Sequence, residues 1–255
     1  MEKRPAQNRI RLWAVLVWLL IWQAAGMVFA RLWPHGNLLL ATPVASLIAL
    51  WRLVQTAAFW QAVAASAARI FGGFFVACVL AVLCAALSAR FRAVRELLYP
   101  PVAAIKAVPV VSFIILALVW LDANRLSGFI SALMVFPPVY LNVLAGIGSA
   151  DSKLLEMAKV FRVPLRRRIG GIYVPAVLPH FCSAVSLSLG LCWKAGLAAE
   201  VIGLPRGTMG EALYQAKVYF MTEELFAWTA VIVLVSVAFE KLFLRMIDLL
   251  AGGEG

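Results

Sequence analysis

Charge is scarce in this 255-residue chain and leans one way: 14% of residues are charged, 23 of them Lys or Arg against 12 Asp or Glu. A water-soluble surface needs about a quarter of all residues charged, so a soluble domain is excluded. With 64% hydrophobic residues and a mean hydropathy of +0.94, the chain belongs in a bilayer. Histidine is nearly missing: His35 and His180 stand far apart, and Cys78, Cys84, Cys182 and Cys192 show no CxxC spacing. No metal cluster or disulfide frame can be read from them, and the cysteines are expected to be small packing residues. The phosphate-binding pattern G-x-x-x-x-G-K-[ST] is absent, so this chain is not expected to hydrolyse ATP. No Ser/His/Asp, Cys/His or paired-carboxylate set gathers on one membrane face, and neither an enzyme nor a cofactor is expected. The net charge of +11 might suggest nucleic acid. The basic residues punctuate apolar runs instead of forming one solvated face, so nucleic acid is not an expected partner.

What is present is a series of apolar runs of about 20 residues, the length that crosses roughly 30 Å of hydrocarbon. They fall at 12–33, 63–88, 99–121, 127–148, 177–198 and 225–247. Lipid leaves no backbone donor unpaired and the runs lack the alternation of barrel strands, so the expectation is an all-α polytopic membrane protein. With no linker between the runs, residues 1–255 are read as one transmembrane domain.

Lys3, Arg4, Arg9, Arg11, Arg90, Arg92, Arg95, Lys153, Lys159, Arg162, Arg166, Arg167, Arg168, Lys241 and Arg245 all fall on one side of an alternating topology. That side is expected to be the cytoplasm and to hold both termini. The first run has the flanks of a signal peptide, but apolar residues continue to Trp33, and an uncleaved anchor is the expectation.

Two runs carry small residues every four positions: Gly73, Ala77, Ala81, Ala85 and Ala89, then Cys182, Ser186 and Gly190 with Lys194 next. Such stripes let helices approach closely. Pro100, Pro101 and Pro109 around Lys106 predict an irregular start to the third span, and Pro137 with Pro138 a kink in the fourth.

Between the fourth and fifth spans lies a polar interlude, 149–176. Leu154, Ala158 and Phe161, with Leu155 beside them, make one apolar stripe on a short helix. Ser149 or Asp151 can cap it, Pro164 ends it and opens a second helix through Arg166 to Arg168. The arginines fit an anchor on anionic lipid, and the apolar stripe fits a groove on a protein partner.

Glu156, Met157 and Ala158, then three residues, Arg162, nine residues and Ile172, Tyr173, Val174, Pro175 resemble the cytoplasmic loop of binding-protein-dependent ABC importer permeases. That pattern reads Glu-Ala-Ala, three residues, Gly, nine residues, Ile-x-Leu-Pro. Met157 replaces an alanine, and Arg162 replaces the glycine that permits a left-handed turn. Arg69 with Gly73, Lys106 to Pro109, Trp193-Lys194, Ala199-Glu200 and Gly203 are similar to the nitrate, sulfonate and taurine branch.

The resemblance implies a type I-like permease fold in the bacterial cell membrane, with a coupling helix that docks on an ATPase subunit through Leu154, Leu155, Glu156, Ala158, Phe161 and Arg162. It also implies a second permease subunit, expected to be an identical copy, and an extracytoplasmic solute-binding protein. The implied task is inward movement of a small solute by alternating access, a sulfonate, taurine or nitrate being the expected cargo.

Lys106, Ser186, Gly190, Lys194 and Glu200 are the candidates for a translocation path. Arg69 and Lys106 also fit simple snorkelling. Lys194 lies about 22 Å along its helix from Pro179, where it can bind Glu200 in the following turn or face an anionic solute. Trp193 reads as an interfacial anchor. A stand-alone secondary transporter or channel is the alternative; the absence of a carboxylate deep within any span argues against it.

Overall fold

The computed structural model describes residues 12–33 and 36–251; Lys3, Arg4, Arg9, Arg11 and His35 lie outside the described residues. Among the described residues every regular element is helical. In chain order they are α1 (Leu12–Leu32), α2 (Gly36–Leu39), α3 (Pro43–Val54), α4 (Ala57–Arg90), α5 (Arg92–Ala107) and α6 (Val110–Ala117). Then come α7 (Ala123–Gly148), α8 (Ser152–Val160), α9 (Leu165–Arg168), a π-helical turn (Ile169–Tyr173), α10 (Val174–Gly203), α11 (Met209–Val218) and α12 (Thr222–Ala251). Five stretches are long and apolar enough to cross a membrane, Trp13–Leu32, Ala57–Arg90, Ala123–Gly148, Leu165–Gly203 and Thr222–Phe243, and the pair α5 and α6 supplies a sixth if taken as one crossing.

In that pair the irregular start expected of the third span is a full break, with α5 and α6 bent by 108°. Pro100 and Pro101 sit inside α5, and the break comes at Val108, whose φ of −86° and ψ of 135° are extended. Proline bars the residue before it from the helical region, and Pro109 does so here. The proline pair is tolerated because the carbonyls it leaves unbonded, those of Glu96 and Leu97, belong to exposed residues.

By contacts the chain divides into two units, one of residues up to Trp60 with Ala212–Val231, the other Gln61–Glu211 with Ile232 onwards. In the first unit Thr42 caps α3, accepting from the amide of Ala45 at 3.3 Å, with Pro43 at the first helical position. Trp22 of α1 donates to the Ala41 carbonyl at 3.0 Å and stacks 5.0 Å from Phe226. Outside these contacts α1 is largely exposed, with Trp13, Leu16, Trp18 and Leu20 facing outward.

The second unit is built on α4, α7 and α10. Arg69 donates to Asn124 at 3.2 Å, Gly73 backs onto Gly128, and Tyr140 donates to Ser88 at 3.0 Å, so α4 and α7 run parallel. Gly196 against Ser131 and Ile70, and Gly146 against Val177 and His180, make α10 antiparallel to both. α7 therefore begins level with Arg69, about 30 Å back along α4 from Arg90 at 1.5 Å per residue. The chain between Arg90 and Ala123 must cover that thickness, so α5 and α6 form a broken crossing and not a loop that returns to its own side.

The small-residue stripe of α4 packs as expected as far as Ala85, whereas Ala89 is exposed. Ala77, Ala81 and Ala85 are buried, and a Cβ on Gly73 would collide with the Gly128 carbonyl. α7 continues unbroken through Pro137 and Pro138.

Candidate functional site

Two polar regions of the second unit lie at opposite ends of α10. At the end shared by Arg90 and Gly148 is the interlude that follows α7. Asp151, not Ser149, caps α8, its carboxylate accepting from the amide of Lys153 at 2.8 Å. The far end of α8 closes on a paired turn: Val163 N–H donates to Ala158 at 2.9 Å and Arg162 N–H to Lys159 at 3.2 Å, with Arg162 at φ 50°. This is the Schellman arrangement, with an arginine in the left-handed position that glycine usually fills. Pro164 precedes α9 as its N-cap, one place earlier than expected.

The helix ends thus fixed present some of the expected docking residues and not others. Phe161 is 75% exposed and Leu154 42%, Glu156 and Arg162 are exposed, and Leu155 is half-buried. Ala158 is 1% exposed. It faces the protein's own body and is not available to a partner, which corrects its place in the expected apolar stripe. Ile172 lies half-buried in the π-helical turn, and Pro175 is exposed at the start of α10. His180 is not isolated: it packs on Gly146 and lies 3.4 Å from the Ser149 hydroxyl.

At the other end, α10 runs on to Gly203 and takes Glu200 with it. Glu200 is 0% exposed, and so is a carboxylate inside the helical body, contrary to the reading of the sequence. Its Oε2 accepts from the Ser66 hydroxyl at 2.6 Å and from the Gly210 amide at 3.3 Å, while Ser66 accepts from the Met209 amide at 3.0 Å. One carboxylate and one hydroxyl therefore tie α4, the end of α10 and the first turn of α11 together. Gly210 permits this, since a Cβ there would collide with the side chain of Glu200. Arg69 and Ser127 lie within electrostatic reach of the same carboxylate. Arg69 Nη1, Ser127 Oγ and Glu200 Oε1 are buried without a hydrogen-bond partner.

Lys194 does not join this network. It is exposed and makes no bond to Glu200. Glu200 belongs to α10 and not to the turn expected to follow it, and six residues at about 100° each put the two on different faces of one helix. Ser186 and Gly190 share the Lys194 face and are half-buried, with nothing within 4 Å of a Cβ on Gly190. Trp193 is buried, not interfacial: it stacks on Phe71 at 5.5 Å and donates to the Ile232 carbonyl at 3.2 Å. Lys106 is exposed in the last turn of α5, beside the break.

The expected path residues thus separate into an open stripe, Ser186, Gly190 and Lys194, an internal carboxylate, Glu200, and a lysine on another helix. Sequence reasoning missed Ser66, Asn124, Ser127 and Gly210. A usable sign was the four-residue register: Arg69 continues the small stripe of α4, and Asn124, Gly128 and Ala132 form its counterpart on α7.

No group of three or more His, Cys, Asp or Glu able to hold a metal ion occurs among the described residues.

Residues 77–252 match the family described as "Binding-protein-dependent transport system inner membrane component". Among curated proteins, the chain is 26% identical over 254 residues to the putative aliphatic sulfonates transport permease protein SsuC of Bacillus subtilis, covering 97% of this chain and 89% of that one. It is 26% identical over 185 residues to the taurine transport system permease protein TauC of Escherichia coli, covering 72% and 67%. It is 25% identical over 222 residues to the riboflavin transport system permease protein RibX of Chloroflexus aurantiacus, covering 87% and 81%.

Proposed function

The chain belongs to the family of binding-protein-dependent transport system inner membrane components, and from that premise we propose that it is the permease subunit through which an ATP-driven importer moves a small organic anion inward by alternating access. The observation that carries this reading is α8: a short helix capped at both ends, with Phe161 and Leu154 exposed at the end of the bundle richest in arginine and lysine. The excess of positive charge supports a cytoplasmic position for that end. An ATPase subunit would meet Leu154, Leu155, Glu156, Phe161 and Arg162 there, while Ala158 seats α8 on the permease itself. Rigid seating is what a coupling element requires, because a helix free to rock absorbs displacement that it must transmit.

The remainder of the reading follows from the same premise. The chain works as a single permease domain, and ATP is hydrolysed by a partner. The stripe of Ser186, Gly190 and Lys194 faces a second, identical copy, and the passage runs between the two. The cargo is anionic: Lys194 on that stripe favours negative charge, and two of the relatives are named for aliphatic sulfonates and taurine. A separate binding protein delivers it.

Co-purification with the ATPase encoded beside it tests the docking role. Phe161→Asp and Glu156→Lys are expected to release the ATPase from a permease that still inserts in the membrane. Full retention by both variants overturns the assignment.

One observation favours a second reading. Glu200 is a buried carboxylate of the kind that binds protons or ions in secondary transporters. Its Oε2 is held by Ser66 and Gly210, which favours a clamp over a site that loads and unloads. Solute uptake by the purified chain alone, driven by an ion gradient, would establish the second reading.

A further inference from the structure

Between α4 and α7, at the Glu200 end, lies an open cleft of about 510 Å³ whose polar residues are Arg69, Asn124 and Arg125. We propose that this cleft is a binding site for one anionic phospholipid, its phosphate on the two guanidinium groups and an acyl chain along the groove below them. The site needs neither the ATPase nor a particular cargo.

The head of the site has three sources of positive potential. Arg69 is fixed by its bond to Asn124, and its Nη1 is buried with no partner. Arg125 is exposed. The third is the start of α7, a 26-residue helix whose N-cap, Asp122, makes no side-chain hydrogen bond to the first turn. A helix start and guanidinium groups both recognise phosphate oxygens. Two carboxylates are near: Glu200 lies behind Arg69 within the protein, and Asp122 is exposed and does not line the cleft. Together they limit the site to a head of low negative charge, such as a phosphodiester.

The groove below decides between a lipid and a small solute. From Arg69 to Leu80 the cleft follows α4 for eleven residues, about 16 Å at 1.5 Å per residue, which is about half the hydrocarbon thickness of a bilayer. Below the polar end, its walls from Gly128 to Phe136 carry no hydrogen-bonding side chain. A hydrated anion would lose its water there with nothing to replace it. An acyl chain needs no replacement. Gly73 and Gly128 form the floor, where the two backbones touch, so the groove cannot close by side-chain movement.

Native mass spectrometry of the intact transporter, titrated with mixed micelles of phosphatidylglycerol or phosphatidylcholine, tests the proposal. The expected result is one tightly held phosphatidylglycerol per permease chain under conditions that remove phosphatidylcholine. Arg125→Gln is expected to weaken retention about fivefold, the effect of about 1 kcal/mol per basic residue, and Arg125→Lys to preserve most of it. Ala132→Phe fills the groove and is expected to abolish retention with both arginines intact. Unchanged thermal midpoints show that the variants are folded. Equal retention of the two lipids overturns the proposal, as does retention unaffected by both Arg125→Gln and Ala132→Phe. Displacement of phosphatidylglycerol by stoichiometric octanesulfonate also overturns it, and assigns the cleft to a solute.

Discussion

The two ends of α10 solve opposite problems. At the Arg90 end the chain spends two helix caps, Asp151 and the turn at Arg162, on holding a short helix whose Phe161 and Leu154 stay exposed. At the other end Glu200, Ser66 and Gly210 close in on one another and leave the carboxylate no access to solvent. One end leaves apolar side chains exposed and the other encloses a polar cluster. Exposed apolar residues on a rigid support are a binding surface, whereas a buried polar cluster fixes the relative position of the segments that supply its members.

The comparison breaks most severely at the internal end. Glu200→Ala removes the acceptor for Ser66 and Gly210 and is expected to cost about 3 kcal/mol, since each donor left buried loses about 1–3 kcal/mol. The thermal midpoint of the detergent-solubilised protein measures this, and Gly210→Ala is expected to lower it in the same direction because its Cβ collides with Glu200. At the Arg90 end the converse is expected. Phe161→Asp leaves the midpoint where it was, because an exposed substitution changes stability by within about 0.5 kcal/mol. ATPase affinity falls at least about tenfold, which is about 1.4 kcal/mol.

Arg162→Gly sharpens the contrast further: it relieves the left-handed strain and is expected to stabilise the turn by about 1 kcal/mol. Slower hydrogen exchange at the Val163 amide reports it. Lys194→Gln carries the smallest stability effect, within about 0.5 kcal/mol, because Lys194 is exposed and has no hydrogen bond or ion pair among the described residues. Solute uptake is the measurement that distinguishes it from a neutral surface change.

The interlude after α7 was the more legible of the two regions. Its pattern is local: Asp151, the apolar stripe, Arg162 and Pro164 act within about fifteen residues, and helix caps follow from such spacings. Burial of Ala158 was not legible, because a small residue on an apolar stripe fits either side equally. The membrane crossings were readable from length and hydropathy, and the irregular start of the third from its prolines, but the exact break at Val108 was not. There three prolines competed as breakers, and only the backbone geometry shows that Pro109 prevails over Pro100 and Pro101.

The Glu200 network was out of reach for a different reason. Ser66 and Glu200 are 134 residues apart in sequence, and a hydroxyl within an apolar run gives no hint of what it will meet. Trp193 failed in the same way: an aromatic residue near a span end is usually interfacial, but Phe71 and the Ile232 carbonyl claim it here.

The floor between α4 and α7 has one further consequence for motion. Gly73 meets Gly128 main chain to main chain, and Gly196 of α10 is pressed against Ser131 and Ile70. At the Gly73–Gly128 contact no side chain lies between α4 and α7 to repack, so a relative shift of these two helices would have to separate their backbones. The nearest interruption of helical bonding is the extended residue Val108, between α5 and α6. Bending at that proline-made elbow would leave the wall between α4 and α7 undeformed.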